Sequence, residues 1–192
     1  GKPGSMCGNG GRCMVMFAHD LGIHQYTYRF MAVDGLHEAE IMNNGEVKLK
    51  MKDVNEVSIH HGEALLDTGS PHFVKFVSGL AGYPVFEEGR KLRYDPVFPI
   101  GTNANFIERV DNGTLALRTY ERGVEQETLA CGTGATASAI AASFEGYSSP
   151  VTLLATGGVL QVDFRKSPDG SFTDIFLTGP ATLVFEGDIE LP

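Results

Sequence analysis

Two cysteines open near-identical pentapeptides, Cys7-Gly8-Asn9-Gly10-Gly11 and Cys131-Gly132-Thr133-Gly134-Ala135. An apolar run follows each, and a glycine stands fifteen residues after each cysteine, at Gly22 and Gly146. The pattern predicts one strand-turn-helix unit present twice, with a thiol at each helix start. A sulfur in that position faces unpaired backbone N–H groups and the positive end of the helix dipole, which favour thiolate and lower a pKa that begins at about 8.5. The same N–H groups can hold a carboxylate, and the glycines let backbone approach a ligand closely. If the two helix starts face each other, a carbon atom between them has sulfur on both sides. One thiolate then removes a proton, the opposite thiol returns one, and the stereocentre inverts. A reaction so nearly symmetric needs two matched groups, each a base in one direction and an acid in the other. The carbanion formed beside a carboxylate would be held by the dipoles of both helices in a dry cleft, and no cofactor is called for.

The elements that must position these thiols repeat as well. A strand reaches a glycine at Gly35 in one copy and Gly158 in the other, and hairpin signals follow at Asn44-Gly45 and Asp169-Gly170. Agreement over about forty residues argues for an α+β protein of two lobes made by internal duplication. The first lobe is expected over residues 1–55, completed by a tail, 181–192, that crosses back after Gly179-Pro180; the second lobe spans 56–180. Strands are expected at 26–33, 36–42 and 46–51 in the first lobe, with Val47, Leu49 and Met51 alternating against three lysines. In the second they fall at 63–67, 72–77, 102–110, 114–121, 150–156, 159–165 and 172–178, with a last one at 181–186. Residues 53–62 form a polar boundary, 122–129 a loop, and Glu87 to Asp95 a short helix. The helix after Cys7, apolar all round, should be buried, with Cys13 in the core; the one after Cys131 is rich in Ala, Ser and Thr and can run close beneath a sheet. The chain opens on a turn signal, Gly1-Lys2-Pro3-Gly4, with too few elements to cover both faces of the first sheet, which predicts a further N-terminal segment.

Fifteen Lys and Arg against 24 Asp and Glu give a net charge of −9, which argues against nucleic acid or an anionic membrane as partner. A small zwitterionic ligand stays compatible. No run reaches the roughly eighteen apolar residues of a membrane helix. Three cysteines, an odd number, read as free thiols in a reducing cytoplasm. Cys7 and Cys13 lack the spacing of a zinc knuckle and there is no second cysteine pair, so no metal site is expected.

Met6-Cys7-Gly8-Asn9-Gly10-Gly11-Arg12-Cys13 and the stretch from Tyr120-Glu121-Arg122-Gly123 through Glu127-Thr128-Leu129-Ala130-Cys131-Gly132-Thr133-Gly134 resemble the two signatures of the diaminopimelate epimerase family. Pro71-His72, Asn103-Ala104 and Thr178-Gly179-Pro180 also fall where that family has its own. The resemblance implies two pseudo-symmetric α+β lobes, each a mostly antiparallel sheet wrapped round a central helix, and cofactor-independent conversion of LL-diaminopimelate to the meso isomer for lysine and peptidoglycan synthesis. It implies Cys7 and Cys131 as acid and base. Gly8, Asn9, Gly132 and Thr133 would bind the reacting carboxylate and amino end. Asn103, Glu121 and Arg122 would contact substrate, with Asn105 an alternative to Asn103, and His72 and Glu121 would adjust the thiol pKa values. The partner is then a small amino acid, and a homodimer stays open. Ser70 departs from the pattern, standing where many members have Asn, and the family's N-terminal half-lobe has no counterpart. Two other readings remain: a proline racemase or hydroxyproline epimerase of the same fold, disfavoured because Asn9 stands where those have His, and a non-catalytic thiol redox or binding module whose Cys pair forms a disulfide.

Overall fold

In the computed structural model, which describes residues 4–190, Cys7 caps helix α1 (Gly8–Asp20), its extended backbone turning in and its Sγ accepting from Gly10 N–H at 3.3 Å. The opening Gly1-Lys2-Pro3 and the end of the tail, 191–192, lie outside the described residues. The helix closes on Gly22, where Gly22 N–H donates to His19 and Ile23 N–H to Ala18, the paired bonds of a glycine-terminated helix. Strands β1 (Tyr28–Ala32), β2 (Gly35–Ile41) and β3 (Val47–Lys50) follow as an antiparallel meander. Helix α3 (Gly132–Ala142) begins on Cys131 and is followed by the equivalent meander, β10 (Val151–Ala155), β11 (Gly158–Lys166) and β12 (Phe172–Gly179). The matched glycines share positive φ: Gly22 and Gly146 at 84° and 91°, Gly35 and Gly158 at 127° and 143°, Gly45 and Gly170 at 83° and 88°.

The two meanders meet through their last strands. β3 and β12 pair antiparallel, with Leu49 opposite Leu177 and Val47 opposite Gly179, so an approximate two-fold axis passes between them. The sheet continues beyond β10 through β8 (Thr114–Glu121), β7 (Asn103–Arg109), β6 (Pro71–Phe76), β5 (Glu63–Asp67) and β4 (Val57–His60), with β9 (Gln126–Thr128) beside β8. The parallel pairs β6/β7 and β8/β10 are joined across helix α2 (Val85–Arg93) and α3, as parallel neighbours require a crossover. All eleven residues of α3 are buried within the curve of this sheet.

Four expectations are corrected. Residues 181–186 form no strand: β12 ends at Gly179, and Pro180 has no N–H with which to extend the ladder. The tail instead runs along α1, where residues 181–185 line a groove with Cys13, Met16, Phe17 and Asp20. α1 is not buried all round among the described residues, since Met14 and Phe17 are 46% and 62% exposed. Cys13 is exposed rather than in the core. Two short strands, β4 and β9, lie in segments whose polarity reads as boundary and loop; their backbones pair while their side chains stay largely out of the core.

Candidate active site

The first residues of the two helices touch. A methyl group on Gly8 would come within 3.1 Å of the Gly132 Cα, one on Gly132 within 2.9 Å of the Gly8 Cα, and either within 2.8 Å of Leu177 Cδ2. Only glycine allows this approach, and it sets two Cys-capped helix N-termini against each other on the axis. The thiols differ. Cys7 is exposed, whereas Cys131 is buried with its Sγ 3.5 Å from Thr133 Oγ1.

The expected lowering of both thiol pKa values fails for Cys131, whose pKa is pushed from about 9 up to about 12. Burial is the largest cause and the Glu121 carboxylate adds to it; bonds from Thr133 and the Gly134 N–H oppose it, and Cys7 raises it further. Magnitudes explain the outcome. A helix N-terminus contributes about 0.3–2 kcal/mol, while full burial shifts a pKa by up to roughly 3–5 units at about 1.4 kcal/mol each.

Beneath Cys131 lies a buried polar network. Asn105 Nδ2 donates to Phe73 O and to His72 Nδ1, and its Oδ1 accepts from Thr119 Oγ1. An amide nitrogen only donates, so the His72 ring proton resides on Nε2, which is buried with no protein partner among the described residues. The ring is held neutral, its pKa pulled down to about 3 chiefly by burial, with the Arg122 charge in the same direction. Asn105 Oδ1 also sits where a side chain on Gly134 would collide, at 2.3 Å. His72 thus reaches the α3 start through Asn105.

Asn9 and Asn103 are engaged within the protein. Asn9 donates to Ala130 O and accepts from Arg12. Asn103 donates to Ser70 Oγ at 2.7 Å and to Pro71 O, and accepts from Arg122 N–H. Ser70, the departure from the motif, therefore anchors Asn103. Glu121 accepts from Thr128, and Arg122 turns its guanidinium to Ile100 O. A cavity of about 630 Å³ beside the joint is lined by Asn9, Arg12, Glu121, Thr128, Ala130 and Pro180 but by neither sulfur of the Cys pair. Arg12, Thr68 (donating to Thr133 O) and Thr119 also join the site, unassigned from the sequence. For Arg12 the signal is its place in the Met6–Cys13 signature, one helical turn after Gly8.

This fold occurs in solved structures that include a Bacillus anthracis phenazine biosynthesis protein of the PhzF family, with a TM-score of 0.70 at 12% identity covering 92% of this chain and 73% of that one. A hydroxyproline epimerase from Agrobacterium vitis matches with a TM-score of 0.68 at 16% identity over 92% of this chain and 64% of that one. At such identities the likeness is one of fold. Residues 64–184 match the family model described as diaminopimelate epimerase. Two proteins of that name, from Flavobacterium psychrophilum and Aquifex aeolicus, are 47% and 42% identical to it, covering 98% and 97% of this chain and 75% and 70% of their own lengths. The chain belongs to the diaminopimelate epimerase family.

Proposed function

We propose that the protein epimerises LL-2,6-diaminopimelate to the meso isomer by passing protons between Cys7, the substrate α-carbon and Cys131. The observation that carries this reading is the contact of Gly8 with Gly132, which brings both Cys-capped helix starts to one place. One thiolate takes the α-hydrogen, and the electron pair of that C–H bond passes into a carbanion conjugated with the carboxylate. The opposite thiol then protonates the other face, so a C–H bond forms as an S–H bond breaks and no electrons are gained or lost overall. Cys131, its pKa pushed up to about 12 by burial, keeps its proton at rest and begins as the donor, and each turnover reverses the pair. The N–H groups of Gly8, Asn9, Gly132 and Thr133 supply fixed dipoles for the developing charge. Arg122 offers a fork for the distal carboxylate and Glu121 a charge for an ammonium group. His72, neutral and with its Nε2–H unpartnered among the described residues, orients the α3 start through Asn105. Three free cysteines accord with a reducing cytoplasm.

Incubation with LL-diaminopimelate and, separately, L-proline in deuterated water tests this. Deuterium should enter the α-position of diaminopimelate as the meso isomer appears, and proline should stay unlabelled. Label confined to proline would move the assignment to the racemase reading, and label in neither, with a disulfide between Cys7 and Cys131, to the redox module.

A further inference from the structure

Arg12 is 4% exposed and makes no ion pair with a carboxylate among the described residues. Burial pulls its pKa down, opposed by the charges of Cys13, Cys7 and Glu46. A buried guanidinium without a carboxylate is costly unless its N–H groups are placed well, and here they are. Nη1 donates to Gly8 O at 3.2 Å, Nη2 to Asn9 Oδ1 at 2.9 Å and Nε to Pro180 O at 3.3 Å. Asn9 passes the connection on, donating at 2.8 Å to Ala130 O, the residue before Cys131. The fork lies against Gly179, where a methyl group would come within 3.6 Å of Nε and collide with Leu160 at 2.5 Å.

Three separate pieces of the joint therefore meet on one side chain: the first turn of α1, the approach to Cys131, and the end of β12, whose Leu177 lies under both Gly8 and Gly132. The duplication supplies a control. The position matching Arg12 in the second copy is Thr136, which bonds only Gly132 O in its own helix, at 3.0 Å. The clamp exists in one copy and reaches across to the other.

We infer that Arg12 is a positioning residue that fixes the separation and facing of the two catalytic thiols by tying α1, the residue before Cys131 and the end of β12 together through its planar fork. The inference rests on the proposed two-thiol reaction for its kinetic consequence, but not for its geometric one. A lysine at this position keeps the charge and lacks the planar fork of donors, so fork and charge can be separated.

The test uses the full chain carrying Cys13→Ser, so that Cys7 and Cys131 are the only thiols, and dibromobimane as a short bifunctional thiol reagent, with products read by peptide mass spectrometry. Arg12→Lys and Arg12→Gln should lower the yield of the Cys7–Cys131 cross-link at least fivefold, while alkylation of Cys7 alone by iodoacetamide changes less than twofold. In turnover assays kcat should fall tenfold or more with KM within twofold, and added guanidinium should restore both the cross-link and kcat in Arg12→Ala. Asn9→Ala, which cuts only the branch to Ala130, should reduce cross-linking by a smaller factor and gives the answer if the Arg12 variants do not fold. Wild-type cross-linking and turnover in Arg12→Gln or Arg12→Lys would overturn the inference. If the parent protein fails to epimerise diaminopimelate while cross-linking still depends on Arg12, the functional reading falls and the clamp stands.

Discussion

Helices α1 and α3 begin with the same device and sit in different surroundings. Each is capped by a cysteine with extended backbone, φ near −119° and −115°, and each starts with a glycine pressed against its twin. Yet α3 is buried along its whole length, whereas α1 buries only Gly8, Gly11, Arg12 and Val15. Duplication copied the Cys-capped helix start and the two environments diverged round it. Two chemically matched thiols have thereby become inequivalent, one open to solvent and one desolvated with Glu121 beside it.

Deleting either sulfur tests that inequivalence most severely. Cys7→Ala and Cys131→Ala should each lower turnover by about 10²–10⁴-fold, the usual worth of a positioned acid or base. Residual deuterium exchange at the α-carbon should favour opposite stereoisomers in the two variants; the same residue of exchange in both would erase the distinction. Stability should divide along the same line. Ile140→Ala in α3, where the side chain is fully buried, should cost about 2–5 kcal/mol. Met14→Ala on the open face of α1 should stay within about 0.5 kcal/mol, both read from denaturant midpoints.

Matched glycines give a smaller contrast, and one of opposite sign. Gly134→Ala would drive a methyl group to 2.3 Å from Asn105 Oδ1 and should cost about 1–3 kcal/mol through overpacking. At Gly10 the nearest atom is Cys7 Cβ at 3.5 Å, an ordinary contact, so Gly10→Ala should raise stability through helix propensity, by up to roughly 1 kcal/mol. Equal shifts would mean that the two helix starts are packed alike.

A further contrast lies in the pH dependence around the α3 start. His72, with a folded pKa near 3 against an ordinary 6.5, adds stability that is complete above 6.5 and disappears as pH falls towards 3. Cys131, raised from about 9 to about 12, adds stability that is complete below 9 and disappears as pH rises towards 12. Denaturant midpoints across both ranges should flatten at the acid end in His72→Asn and at the alkaline end in Cys131→Ala. Unchanged acid sensitivity in His72→Asn would place the titrating group elsewhere.

The sequence made the duplication legible because its markers are local. A glycine with positive φ and a cysteine before a Gly-x-Gly turn are fixed by backbone sterics within a few residues, and all three glycine pairs keep matching conformations. The apolar alternation of β3 was equally plain, with Val47 and Leu49 fully buried. What escaped depends on distant contacts. The apolar run of α1 does not say what stands opposite Met14 and Phe17, and the short strands β4 and β9 are made by backbone pairing that polar side chains conceal. In the site, the family resemblance implies Asn9 and Asn103 as ligand groups, but not what holds them. Their partners, Ala130, Ser70 and the Arg122 backbone, lie between 19 and 121 residues away. The Cys131 thiol was misjudged for the same reason, since a helix dipole can be inferred from a motif and desolvation cannot.

Leu177 faces its own counterpart, Leu49, across the joint. The two are used differently: Leu49 lies against Gly11 of one helix, whereas Leu177 lies against both Gly8 and Gly132 and supports both helix starts at once. Once two ancestral halves had fused around such a residue, neither could drift alone at that point, because any change of its shape would be felt by both sulfurs together. The asymmetry between the thiols could therefore evolve only at the periphery of the joint, in the shells round Cys7 and Cys131, while its centre stayed common property.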